Sequence, residues 1–272
     1  SGKYDCYFFI ADYHSLTVDF DPTEKSEDIF KVARAYLAAG LDSKKSTIFV
    51  QSAVPETTEM TWILSTIIPP GELRRMTQFK DKSERQVKNI NAGLLTYPVL
   101  QAADILLYHA TVVPVGLDQV QHVELTRDVV RWFNQRYGEY FAEPKPLLSE
   151  VSKVMSLLEP TKKMSKSLGE SHVIELADEP ERIEKKLKKA VTATAGGGKA
   201  PGVVNLLLLL KQFGAPQVYK QFVTAERDGN IRYGELKSVV AEAIAAYFAD
   251  FRARRKGLLK NTEEIEHILE KG

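Results

Sequence analysis

Only one cysteine, Cys6, occurs in 272 residues, which excludes an internal disulfide and any metal site built on several thiolates. The five histidines (His14, His109, His122, His172 and His267) show no close pairing of the zinc-ligand kind. No apolar run reaches the roughly 18 residues that cross a bilayer, and nothing at the N-terminus has the order of a secretion signal. Strong net charge is also lacking: 37 Lys and Arg stand against 36 Asp and Glu. No global field therefore draws in a polyanion, and any nucleic-acid contact must use local patches. These absences point to a reducing, cytoplasmic setting with no membrane and no protein-bound structural metal.

What is present is an ordinary globular composition, 44% apolar and 27% charged, long enough for one large domain and a smaller one. Tyr7–Ala11 is an aromatic-rich apolar run that meets Asp12-Tyr13-His14-Ser15, as a buried strand running into a polar loop does. Asp21-Pro22 predicts the start of a helix that Gly40 ends, and Thr47–Val50 predicts a second buried strand leading to Gln51. Strand, helix and strand in that order imply a parallel sheet, in which ligands gather beyond the carboxyl ends of strands, where His14 and Gln51 fall. Thr57–Thr66 predicts a helix with Met60, Ile63 and Leu64 on one face. Thr111–Val115 reads as a third strand, followed by a helix to Tyr137 capped by Asp118, and 172–176 as a short strand. Gly196-Gly197-Gly198 is the clearest linker, and four helices are predicted after it, one of them Tyr233–Phe251. The expected fold class is α/β: a Rossmann-like parallel-sheet domain over 1–194 and a helical domain over 195–272. Both ends read as cut, since no initiator methionine precedes Ser1 and the chain stops within a helical pattern.

Three constellations could carry chemistry. The helix predicted from Leu94 to Tyr108, with Pro98 at its first position, is almost wholly apolar except for Tyr97, Gln101, Asp104 and Tyr108, which share one face. An unpaired buried carboxylate is costly, so Asp104 either pairs with a nearby cation or lines a pocket for an apolar ring carrying a single N–H or O–H donor. Val113–His122 passes from strand through Gly116 towards a helix N-terminus, either an anion-binding corner or a plain turn. Thr161–Ser167 packs three lysines, two serines and a threonine into seven residues, either a solvated charge run or a cationic loop for a phosphate chain. Gly196–Lys199 lacks the spacing of a phosphate-binding loop. The clusters Lys185–Lys189 and Arg252–Lys256 read as solvated faces or as RNA-phosphate contacts.

Lys163–Ser167 spells KMSKS, which resembles the signature loop of class I aminoacyl-tRNA synthetases. Met76–Lys80, Gly93–Pro98, Ala102–Leu106, Val113–Gly116, Asp118-Gln119, Glu124–Asp128, Pro201-Gly202 and Asn205–Leu207 extend the resemblance, colinearly, to the bacterial-type tryptophanyl-tRNA synthetase family. The resemblance implies a tryptophan–tRNA ligase that uses ATP with Mg2+ and acts on tRNA(Trp), as a homodimer. It implies that Asp104 accepts from the indole N–H, that Tyr97 and Gln119 meet the ammonium group, and that His14, Val113 and Val115 wall the ring. Gly116 and Asp118 fall at the ATP ribose and Met155 at the adenine. Lys80, Lys163 and Lys166 resemble the phosphate-binding, catalytic lysines, with Met164, Ser165 and Ser167 completing the ATP loop. The helical region resembles an anticodon-binding domain. Three departures stand out: the family's HIGH-like glycine–histidine segment is absent, Gln101 stands where many members have methionine, and the last helix ends early. The alternatives are a tyrosine-specific synthetase of the same fold, a non-catalytic paralogue that binds tryptophan, RNA or a protein, and a small-molecule nucleotidyltransferase.

Overall fold

β1 (Cys6–Ile10) and β2 (Ser46–Val50) are rich in aromatic and β-branched side chains, which suit a pleated, half-buried surface. They pair in parallel, from Cys6 opposite Ser46 to Ile10 opposite Val50. Parallel neighbours need a long crossover, and α1 (Lys25–Ala38) supplies it. Gly40 ends α1 at φ 100°, with its N–H on Leu37 O and the Leu41 N–H on Tyr36 O, a Schellman closure that suits glycine. Asp21 does not cap α1. Its Oδ1 accepts from the N–H (2.8 Å) and hydroxyl (2.6 Å) of Thr23, closing a turn before the helix starts.

The computed structural model describes residues 3–77, 90–148, 153–192 and 200–272. They fall into two compact units, one of Ser1–Ala33, Asp42–Glu150 and Glu263–Gly272, the other of Arg34–Leu41 and Val151–Thr262. The boundary expected between 194 and 195 lies outside the described residues.

In the first unit α2 (Glu56–Ser65), α3 (Pro70–Arg75), α4 (Ala92–Leu106) and α5 (Val120–Tyr137) bury one apolar core that includes Leu64, Val99, Ala103, Leu106, Leu125 and Val129. Ile63 departs from expectation: it is 44% exposed beside a fully buried Leu64, because adjacent helical residues point about 100° apart. The start of α4 also differs. Asn91 caps it, accepting from the Leu94 N–H at 2.9 Å, so Pro98 lies inside the helix and not at its first position. Proline there removes the hydrogen bond that Leu94 O would receive. β3 (Val112–Val115) pairs in parallel with β4 (Lys145–Leu148), a strand the sequence gives no sign of. Asp118 sits inside a 3-10 turn, Leu117–Gln119, and α5 starts after it, so Asp118 is not the helix cap. α11 (Thr262–Lys271) belongs chiefly to this unit and buries Ile265 completely.

The second unit packs α6 (Pro180–Lys188), α7 (Pro201–Phe213), α8 (Pro216–Arg227) and α9 (Tyr233–Tyr247) around Leu157, Ile183, Leu187, Leu206, Leu210 and Leu236. α10 (Ala249–Leu258) follows α9 after a break at Phe248 (φ −94°, ψ 12°), where one continuous helix is expected. The strand expected at 172–176 is not formed: His172 ends a 3-10 turn, Glu170–His172, and 173–176 is a loop. Asp178 Oδ2 holds the Glu175 N–H at 2.9 Å and the Asp178 N–H returns to Glu175 O, which diverts the backbone from any ladder. No helix among the described residues is long and apolar enough to cross a membrane.

Candidate active site

The carboxyl ends of β1 and β2 deliver two donors to one buried acid. Asp104, on α4 and 6% exposed, has its Oδ2 at 2.7 Å from His14 Nε2 and its Oδ1 at 2.7 Å from Gln51 Nε2. His14 opens the 3-10 turn that follows β1, and Gln51 the one directly after β2. An ionised carboxylate only accepts, so the imidazole carries a proton on Nε2. The orientation of the Gln51 amide is set from behind, since its Oε1 accepts the Tyr13 N–H at 3.1 Å. Each carboxylate oxygen keeps a second lone pair. Asp104 is thus held by His14 and Gln51, and not by a neighbouring Lys or Arg.

Tyr97 lies two turns before Asp104 on α4, with its hydroxyl 2.9 Å from His122 Nε2 on α5. The His14 and Tyr97 rings lie nearly perpendicular, 6.2 Å apart between centroids. Burial pushes the Tyr97 phenol up to about 12. The structure therefore brings His14, Tyr97 and Asp104 together, with Gln101 half-buried on α4 between the last two. Val113 and Val115 are half-buried on β3 on either side of the exposed Pro114. Gly116, Asp118 and Gln119 form a second, local cluster. Gln119 Nε2 donates to Asp118 Oδ2 at 3.1 Å, and a Cβ on Gly116 would lie 2.7 Å from Asp118 Oδ1, so only glycine leaves that carboxylate where it is.

The lysine loop belongs to the second unit. Met155 and Lys163 pair as a single antiparallel bridge, flanked by Ser156 N–H to Lys162 O (2.9 Å) and Met164 N–H to Val154 O (3.0 Å). Ser165 opens a 3-10 turn, Lys166–Leu168, by accepting the Ser167 N–H, and the Ser165 and Ser167 hydroxyls lie 2.8 Å apart. Lys163 is exposed, and Lys166 Nζ pairs with Glu175 Oε1 at 3.2 Å. Lys80 lies outside the described residues. Among the described residues no group of three or more His, Cys, Asp or Glu could hold a metal ion.

Three buried polar residues at these sites are assigned no contact in the sequence reading, although it places Gln51 where ligands gather: Gln51 (1% exposed), His122 (1%) and Asn205 (3%). The position of Gln51 just past a strand is the one signal that points to it. His122 and Asn205 sit on amphipathic helices, where one polar residue facing inward leaves no periodic trace.

The profile of the family tRNA synthetases class I (W and Y) matches residues 1–249. The chain belongs to this family. The curated tryptophan–tRNA ligase of Bacillus anthracis is 43% identical to it over a 278-residue alignment that takes in 100% of this chain and 83% of that relative. The crystal structure of a Campylobacter jejuni tryptophanyl-tRNA synthetase complexed with ADP and tryptophan has a TM-score of 0.84 and 33% identity, covering 99% of this chain and 84% of that one. A tyrosyl-tRNA synthetase from Archaeoglobus fulgidus, with a TM-score of 0.69 and 22% identity over 92% of this chain and 80% of that one, shares the fold. Within its family this synthetase stands with the bacterial tryptophanyl enzymes, and its α/β architecture is the Rossmann-like one of class I.

Proposed function

We infer that the synthetase activates tryptophan with ATP, releasing pyrophosphate, and then transfers tryptophan to tRNA(Trp). The observation that carries the amino-acid specificity is Asp104. It is a buried carboxylate whose two oxygens are oriented by His14 and Gln51, with acceptor capacity left for one ring N–H. An amino acid lacking that donor leaves the acid underpaired, which is how a polar pocket rejects near-isosteres. Tyr97 and Gln119 are the proposed contacts of the ammonium group, and His14, Gln101, Val113 and Val115 the walls of the ring pocket.

The tryptophan carboxylate attacks the α-phosphate and pyrophosphate leaves, so no protein nucleophile or general base is needed. Catalysis then rests on positioning and on charge placed against the phosphates. Lys163 and Lys166, on an exposed loop, supply that charge together with Lys80. Met164, Ser165 and Ser167 complete the loop, Met155 faces the adenine, and Gly116 and Asp118 face the ribose. Mg2+ enters bound to ATP as part of the substrate, and no structural metal is proposed. The helical region after 195 is the proposed anticodon-binding domain, residues 1–194 the catalytic domain, and the working form a cytoplasmic homodimer.

Amino-acid-dependent ATP–pyrophosphate exchange tests this reading. Tryptophan supports exchange with a much higher kcat/KM than tyrosine or phenylalanine. Lys163→Ala and Lys166→Ala each cut the exchange rate at saturating tryptophan by roughly 10- to 100-fold, the loss of one charge-assisted contact in the transition state. Exchange supported by tyrosine and not tryptophan would overturn the pocket assignment.

A further inference from the structure

We propose that Asn205 is a positioning residue for the lysine loop, acting through the backbone of Met155 on Lys163. This rests on the assignment of Lys163 as a phosphate ligand.

In an antiparallel pair, residues opposite each other between two ladder bonds direct their own N–H and C=O away from the partner strand. Met155 and Lys163 are such a pair, because the flanking bonds belong to Ser156 with Lys162 and to Met164 with Val154. Met155 therefore turns a free N–H and a free C=O outwards. Both end on one side chain: Asn205 Oδ1 accepts the Met155 N–H at 2.9 Å, and Asn205 Nδ2 donates to Met155 O at 2.8 Å. A carboxamide matches this demand because it carries an acceptor and a donor side by side, and it stands in for a third strand.

The support for Asn205 is stiff. It lies on α7 at 3% exposure, one turn after Gly202, and a Cβ at Gly202 would meet Val191 O at 1.8 Å. The start of α7 is thus seated directly on the backbone at Val191, and the Val191 N–H bonds Leu157 O at 2.8 Å, two residues after Met155. A rigid helix, a two-point clamp and a bridge set the register of Lys163. Glutamine is too long for the clamp, and aspartate keeps the acceptor but turns an oxygen against Met155 O.

The test uses the full chain and tryptophan-dependent ATP–pyrophosphate exchange. Asn205→Asp raises KM for ATP or lowers the exchange rate by roughly five- to thirtyfold, the range for unmaking a buried hydrogen-bond pair, while KM for tryptophan stays within about twofold. Asn205→Ala, which adds no buried charge, carries the test where Asn205→Asp fails to fold. In a Lys163→Ala background the same Asn205 change has little further effect, because residues acting through one group are not additive. A merely structural role predicts a lower melting temperature with both KM values unmoved, or a full additional loss in the Lys163→Ala background. Either result overturns the proposal. A wild-type chain without tryptophan-dependent exchange overturns the functional assignment and this proposal with it, whereas an active wild type with wild-type-like Asn205 variants overturns this proposal alone.

Discussion

Asp104→Asn removes one charge and almost no volume. Asparagine at 104 can keep its carbonyl towards Gln51, whose own orientation is held by the Tyr13 N–H. Its NH2 then faces His14, which accommodates it by moving its proton to Nδ1 and accepting on Nε2. Folding thus loses charge assistance on two 2.7 Å bonds, a cost of about 1–2 kcal/mol and a melting temperature lower by a few degrees. The effect on tryptophan is separate. A hydrogen bond from its ring N–H to a charged acceptor contributes about 1.5–3 kcal/mol, so kcat/KM for tryptophan falls roughly 10- to 150-fold. Phenylalanine has no such donor and its kcat/KM hardly changes. The decisive quantity is the ratio of kcat/KM for the two amino acids in pyrophosphate exchange at saturating ATP. It drops by the full factor while KM for ATP stays within about twofold. An unchanged ratio, with both amino acids impaired equally, would show that Asp104 supports the fold and does not read the ring.

Three further outcomes are expected. The Tyr97 phenol, held at about 12 by burial against an ordinary 10.0, contributes stability that is complete below pH 10 and lost as pH rises through about 12. The urea midpoint of Tyr97→Phe therefore falls less than that of the wild type between pH 9 and pH 11.5. Hydrogen bonds from Arg131 and then Arg127 hold the Glu143 carboxyl at about 2 against an ordinary 4.5, so its stabilisation is present above pH 4.5 and lost as pH falls through about 2. Glu143→Gln flattens that acid limb, and an unchanged slope between pH 5 and pH 2.5 would exclude the pair as its cause. Gly202→Ala forces a methyl group against Val191 O and costs about 3 kcal/mol or more, read as a lower denaturant midpoint by circular dichroism.

What was legible in the sequence is what repeats locally. The β1–α1–β2 unit follows from two short apolar runs, one amphipathic helix and Gly40. The polar stripe on α4 follows from helical spacing, since Tyr97, Gln101 and Asp104 break an apolar segment at regular offsets. KMSKS is legible as an ordered motif. The partners of these groups were not. Asp104 meets His14 90 positions away and Gln51 53 positions away, and Asn205 meets Met155 across 50. Nothing in local composition carries pairings at that distance. β4, with Pro146 among its four residues, lacks the β-branched signature of a strand and is one only because β3 runs beside it. Capping failed where two local solutions competed: Asp21 closes a turn, and Asn91 starts α4 well before Pro98. The compact units also cross the chain order, with part of α1 in the unit that holds the lysine loop, which a composition shift along the chain does not register.

The bridge between Met155 and Lys163 gives the two loop lysines different thermodynamic histories. The backbone of Lys163 is tied by hydrogen bonds on both sides of it, so its conformational entropy is surrendered when the chain folds and is not charged again when phosphate arrives. Lys166 lies beyond the bridge, in a short 3-10 turn; both side chains are exposed, and ordering either costs up to about 2 kcal/mol at the moment of contact. In the proposed site Lys163 therefore differs from Lys166 in a backbone preset by the bridge, and not in the entropy its side chain gives up. Cooling, which shrinks that entropic penalty, favours engagement of both lysine side chains.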